Sequence, residues 1–83
     1  MARILFFGRL ADAAGGRERD WPLPPGTRTI DDLVMALGAG EASLADALNE
    51  KSVRFIVNEM VAPRDASIGD EDEIAFLPPV SGG

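Results

Sequence analysis

Few residues of this 83-residue chain have side chains suited to covalent chemistry, because it contains neither cysteine nor histidine. Thiolate nucleophiles, disulfides and Cys-ligated metal are excluded. General acid–base catalysis and metal binding lose their commonest agents. Catalysis by this chain alone is not expected. Three stretches still invite a chemical reading. Asp70-Glu71-Asp72-Glu73 offers oxygen ligands for a hard cation. Its spacing is not that of an EF-hand loop, so a solvated turn or an electrostatic contact with a basic partner is expected, and no metal. Gly15-Gly16 is followed by neither Lys-Ser/Thr nor the glycine spacing of a dinucleotide loop, so it reads as a helix stop. The third stretch is Ile74-Ala75-Phe76-Leu77-Pro78-Pro79-Val80-Ser81-Gly82-Gly83. Two prolines hold φ near −65° and stiffen the exit from a strand. Two glycines then remove every side chain beside the terminus, so that it fits a narrow channel on another protein. Residues 78–83 are expected to project as a tail, with a free α-carboxylate on Gly83. A tail meant only to fray does not need a stiff base.

The composition narrows the partners. A hydrophobic fraction of 46% over residues 1–83 predicts a single domain able to bury its own core. The net charge of −6 argues against nucleic acid and anionic membrane, and favours steering by a basic protein. Only four strongly apolar residues, Ile4 to Phe7, follow Met1-Ala2-Arg3, which is no secretory leader. The cytoplasm is the expected compartment.

The elements that must position the tail follow in order. Ala2 to Phe7 is a strand stopped by Gly8. Arg9 to Ala14 makes a helical turn or two, and Arg17 to Leu23 an edge-like strand holding Pro22. After the Pro24-Pro25-Gly26 turn, Thr29 caps a helix with Asp31 and Asp32 in its first turn. Ile30, Leu33, Val34 and Leu37 recur at i, i+3, i+4, i+7, the clearest amphipathic pattern in the chain. Ser43 is expected to cap a second helix through Leu48. Val53 to Val57 is a strand, Asn58-Glu59 a tight turn, Met60-Val61 a short return strand, and Glu73 to Leu77 the last strand. This order predicts an α+β domain with a mixed sheet of about five strands and one main helix across one face. The β-grasp, or ubiquitin-like, arrangement fits it, and strand counting alone also allows a split βαβ fold. Period-two alternation puts Arg3, Leu5 and Phe7, Arg54 and Ile56, and Glu73, Ala75 and Leu77 on the face away from the helix. Phe7, Ile56, Leu77 and Val61 are therefore expected to form an apolar partner-binding patch beside the tail.

Taken together, Leu5-Phe6-Phe7-Gly8, Val57-Asn58, Gly69-Asp70, and Glu73 to Phe76 leading into Pro78-Pro79-Val80-Ser81-Gly82-Gly83 resemble the small-subunit family of molybdopterin synthase, ubiquitin-like sulfur carriers. The resemblance covers essentially the whole chain, and departs at Leu77, where the family often has a second Phe. It implies that a ubiquitin-activating-like adenylyltransferase, using ATP, adenylates the Gly83 carboxylate. A sulfur donor protein then helps convert it to a thiocarboxylate. It also implies docking on a large subunit, in a heterotetramer, where the tail residues Pro78, Pro79, Val80, Ser81 and Gly82 enter the active site. Sulfur then passes to cyclic pyranopterin monophosphate. Without cysteine the chain has no side chain to carry sulfur, which agrees. Catalytic residues are expected on the large subunit, and no cofactor on this chain. A protein modifier joined through Gly83 to lysines, or the thiazole-pathway carrier, are the alternative readings.

Overall fold

The computed structural model describes residues 1–78. Its elements are β1 (Ala2–Phe6), α1 (Arg9–Ala14), β2 (Glu18–Trp21), α2 (Ile30–Gly38), α3 (Ala42–Leu48), β3 (Arg54–Val57), β4 (Met60–Ala62) and β5 (Glu73–Leu77). The strands form one mixed sheet in the order β2-β1-β5-β3-β4. β1 and β5 are parallel neighbours at its centre, and the remaining pairs are antiparallel. This is the β-grasp arrangement. α2 is accompanied by α3, which packs on it, and by α1, which packs on α3 and β1.

Local chemistry accounts for the element ends. Gly15 closes α1 in a left-handed conformation at φ 80°, which strains any residue with a Cβ. Thr29 and Asp32 form a capping box at the start of α2: Asp32 N donates to Thr29 Oγ1, and Thr29 N donates to Asp32 Oδ2, each at 3.2 Å. The next amides, of Ile30 and Asp31, donate to the carbonyls of Ala66 and Arg64, so the loop before β5 finishes the cap. The expected Ser43 cap is not formed. α3 begins two residues earlier than that cap would set, at Ala42, with Glu41 in the cap position and no side-chain bond. Gly38 sets this start, since a Cβ there would lie 2.7 Å from Ala45 Cβ, and the helices turn at that close approach.

The core lies between the sheet and the helices. Ile30, Leu33, Val34 and Leu37 of α2 and Leu44 and Leu48 of α3 are buried against Ile4, Phe6, Ile74 and Phe76. The Phe76 ring stacks on Phe6 at 5.6 Å and meets Phe55 edge-on at 5.7 Å, both favourable aromatic geometries. At the sheet edge Arg19 lies over the Phe6 ring and donates to the Ala14 carbonyl, so its stem covers apolar surface.

The β3–β4 hairpin turns at Asn58 and Glu59, with φ 48° and 70°. Two positive φ values in a two-residue loop are the geometry that matches strand twist. Asn tolerates it; Glu does not. Glu59→Gly is therefore expected to stabilise the domain by about 0.5–1 kcal/mol, the relieved strain less the chain entropy added by Gly. Thermal melts check this, and an unchanged or lower Tm would show that Glu59 carries no strain.

Two carboxylates link stability to pH. Asp32 is held below its ordinary pKa, first by the Arg28 backbone N–H and then by the Thr29 cap bonds. Asp70 is held below its own by the Leu23 backbone N–H and the N-terminal ammonium. A pKa depressed on folding contributes stability above the unfolded value, and that contribution disappears as pH falls through the folded value. The melting temperature should therefore fall below about pH 4. Asp32→Asn with Asp70→Asn should flatten that acid limb while lowering the neutral plateau.

Candidate functional site

Leu77 closes β5, and the chain leaves the sheet at Pro78. The conformation of Gly8 fits this exit. It sits at φ 55°, ψ −135°, between β1 and α1, a region closed to residues with a Cβ. A Cβ there would also lie 2.9 Å from Pro78 Cγ, inside contact distance. Gly8 is thus the seat on which the first tail residue rests, and the adjoining bond from Phe7 N to the Phe76 carbonyl, 3.1 Å, ties β1 to the exit. The sequence marked Gly8 only as a strand stop. Its second role needs Pro78 brought beside it, seventy residues along the chain. Of the expected tail residues, Pro78 is half-buried against this seat, while Pro79, Val80, Ser81, Gly82 and Gly83 lie outside the described residues.

Beside the exit lies the sheet face that no helix covers. Strand register arranges it in rows. Leu5 faces Ala75, Ala75 faces Ile56, and Ile56 faces Val61. One pair nearer the exit, Leu77 faces Arg54 across β5 and β3, and Phe7 follows Phe6 on the other flank. Phe7 is 44% exposed and Val61 75% exposed, while Ile56 and Leu77 are half-buried. The expected patch of Phe7, Ile56, Val61 and Leu77 thus lies on one face and borders the tail. Leu5 and Ala75 complete it. Both lay on the predicted face, but only the register shows that they bridge Phe7 and Ile56. Ala75 is 6% exposed despite facing away from the helices, because larger neighbours on β1 and β3 flank its methyl.

The acidic run, expected as a solvated turn or a contact for a basic partner, is bonded into the fold through the side chains of two of its four residues. Asp70 Oδ1 accepts from Leu23 N at 2.9 Å, and its other oxygen lies 3.4 Å from the Met1 ammonium. Asp72 accepts from Gly69 N at 2.7 Å and from Asn58 Nδ2 at 2.9 Å; Asn58 in turn accepts from Glu73 N at 3.0 Å. These bonds tie the β3–β4 turn and the chain after β2 to the start of β5. The run therefore sits at the far end of β5 from Leu77, about 13 Å away. Among the described residues no cluster of three or more acidic side chains is arranged to hold a metal. A shallow groove beside the exit is lined by Leu5, Phe7, Gly8, Asp12, Gly16 and Arg17, with no nucleophile or base pair in it. Among the described residues no helix is long and apolar enough to cross a membrane.

A mixed β-grasp sheet, helices on one face, an open apolar face on the other, and a chain leaving the central strand past a glycine seat define a ubiquitin-like domain. Comparison with known proteins places it more closely. The chain belongs to the ThiS family, whose model matches residues 4–83. It is 33% identical to the molybdopterin synthase sulfur carrier subunit of Chlamydomonas reinhardtii over 98% of this chain and 96% of that one. It is 30% identical to the molybdopterin synthase sulfur carrier subunit of Escherichia coli over the full length of both. Among solved structures, small archaeal modifier protein 1 from Methanosarcina acetivorans superposes with a TM-score of 0.78 at 26% identity, over 99% of this chain and 95% of that one. The resemblance read from the tail and strand motifs is thus borne out.

Proposed function

We propose that this chain is the sulfur-carrying subunit of a molybdopterin synthase, with the Gly83 carboxylate as its reactive group. The observation that carries the reading is the placement of Phe76-Leu77-Pro78: a core anchor, an open-face residue and a seated proline in succession, leading into Pro79-Val80-Ser81-Gly82-Gly83. A carboxylate is a poor electrophile. A partner adenylyltransferase joins it to the α-phosphate of ATP, pyrophosphate leaves, and the acyl carbon gains a good leaving group. Sulfide-level sulfur supplied by a donor protein then attacks the acyl carbon, the carbon–oxygen bond to AMP breaks and AMP leaves, giving a thiocarboxylate that is a soft nucleophile at neutral pH. The tail enters the large subunit's active site, and sulfur passes to cyclic pyranopterin monophosphate to build the dithiolene. This chain contributes no acid or base to these steps. It holds the tail at a fixed exit, keeps the tip thin, and offers the open face for docking. The cytoplasm is the compartment expected on this reading. The names of the sulfur-carrier relatives support this reading, and the modifier named in the structural comparison supports the second, conjugation of Gly83 to lysines.

Intact mass of the protein isolated from cells separates them. Replacement of one oxygen by sulfur at the terminus is expected, and isopeptide adducts alone would favour the modifier. Complementation of strains lacking the molybdopterin carrier, but not of strains lacking the thiazole carrier, is the second expected result.

A further inference from the structure

Charge on the open face is sorted along the strands. At the end away from the tail, the row across β2, β1 and β5 holds Asp20, Arg3 and Glu73, with Arg3 paired to Glu18. The middle row is apolar apart from Glu18 at the β2 edge. At the exit end the charged residue of the face is Arg54, directly across from Leu77 and exposed. Lys51 is exposed just before it, at the approach to β3. Among the described residues Arg3, Arg9 and Arg64 each have a carboxylate in ion-pair contact, and Arg17, Arg19, Arg28, Lys51 and Arg54 have none; what distinguishes Arg54 is its place on the open face, directly across from Leu77 at the exit.

From this arrangement, and resting on the carrier reading above, we infer that Arg54 is the registering contact of the docked carrier. Its guanidinium receives a carboxylate that the large subunit places at the mouth of its tail channel. The counterpart is a fixed protein carboxylate rather than a phosphate of nucleotide or substrate, for reasons of distance. The chemistry takes place at Gly83, six residues beyond Leu77, a reach of up to about 20 Å when extended. Arg54 lies at the root of the tail, too far to touch what the tip touches. Guanidinium suits the task because its planar fork binds a carboxylate in one orientation. An apolar face alone permits sliding and rotation; a charge beside the exit, with the opposite sign at the far end, fixes which way the carrier sits. The net charge of −6 favours steering by a basic partner, and at the exit end the pairing with Arg54 calls for the opposite sign locally.

The test is stopped-flow association and titration of the full-length chain with the large synthase subunit of the same organism. Arg54→Glu is expected to weaken binding at least about tenfold at low salt, with the gap shrinking as salt is raised. Arg54→Lys should keep most of the affinity. Glu71→Lys, an equally large charge change at the far end, should alter binding less than about twofold, which separates a local pair from net-charge steering. Arg54→Gln, with thermal melts of each variant, guards against unfolding and should fall between wild type and Arg54→Glu. Arg54→Glu binding within twofold of wild type, or Glu71→Lys changing affinity as much as Arg54→Glu, overturns the inference. Failure of the wild-type chain to bind the large subunit overturns the carrier reading instead, and the inference with it.

Discussion

Removal of Gly83 is expected to abolish sulfur transfer while leaving the domain folded. Among the described residues the last with a place in the core is Phe76, and Leu77 and Pro78 complete the exit, so shortening the chain at position 83 leaves that core intact. What it removes is reach. Each extended residue spans about 3.3 Å, and a reacting group displaced by even 1 Å in a fixed site loses about a hundredfold in rate. The deletion should therefore reduce synthase turnover by more than about a hundredfold, with an unchanged melting curve. An appended residue should do the same, because it ties the Gly83 carboxylate into a peptide bond. Gly82→Ala should be harmful as well, through a Cβ in a narrow channel and the loss of conformations open only to glycine. Intact mass after incubation with ATP, the activating enzyme and a sulfur source reads the terminus directly. An extended chain shown by mass to be untrimmed, yet still able to support synthase activity, would remove Gly83 from the mechanism.

The second large effect separates two adjacent residues. Phe76→Ala is expected to cost about 3–5 kcal/mol, since it deletes a fully buried ring packed on Phe6 and Phe55 and leaves a cavity. In a domain of this size that is a large part of the total stability, and Tm should fall by more than about 10 °C. Leu77→Ala lies on the other face of the same strand. Its side chain is half-buried in the free protein and borders Phe7 and Arg54. Its main cost should appear on docking. Burying such a side chain contributes about 1.5–3 kcal/mol, so affinity for the large subunit should drop about ten- to a hundredfold while Tm moves by a few degrees. Phe7→Ala should behave like Leu77→Ala. Thermal melts beside calorimetric titration decide between them. If Leu77→Ala unfolds the free domain as Phe76→Ala does, the open face belongs to the core and is not a docking surface. Asp70 is unsuited to testing docking, because its bonds to Leu23 and Met1 mean that reversing its charge disturbs the fold as well. Glu71 serves instead.

Features written in local spacing were legible from the sequence. The 3.6-residue recurrence of Ile30, Leu33, Val34 and Leu37 named the buried stripe of α2, and Thr29 was recognisable as its cap, because both depend on residues within a turn or two; the return bond from Thr29 N to Asp32 was seen only in the structure. Alternation along β1, β3 and β5 assigned the faces correctly, because a pleated strand sends every second side chain to the same side. Asn58-Glu59 was recognisable as a turn for the same reason. Alternation gives the face of a residue but not its neighbours. Only the parallel pairing of β1 with β5, strands some seventy residues apart, sets Leu5 beside Ala75 and seats Pro78 on Gly8. Only the pairing of β3 with β5 puts Arg54 across from Leu77. Likewise, Asp70 and Asp72 became structural groups once Leu23, Met1 and Asn58 were folded against them. Ser43 lost its expected cap because α3 starts where Gly38 lets Ala45 approach, a packing constraint rather than a propensity. The chain thus encodes periodicity, caps and tail chemistry within a few residues. The neighbours across the sheet come from long-range pairing, which spacing along the chain does not specify.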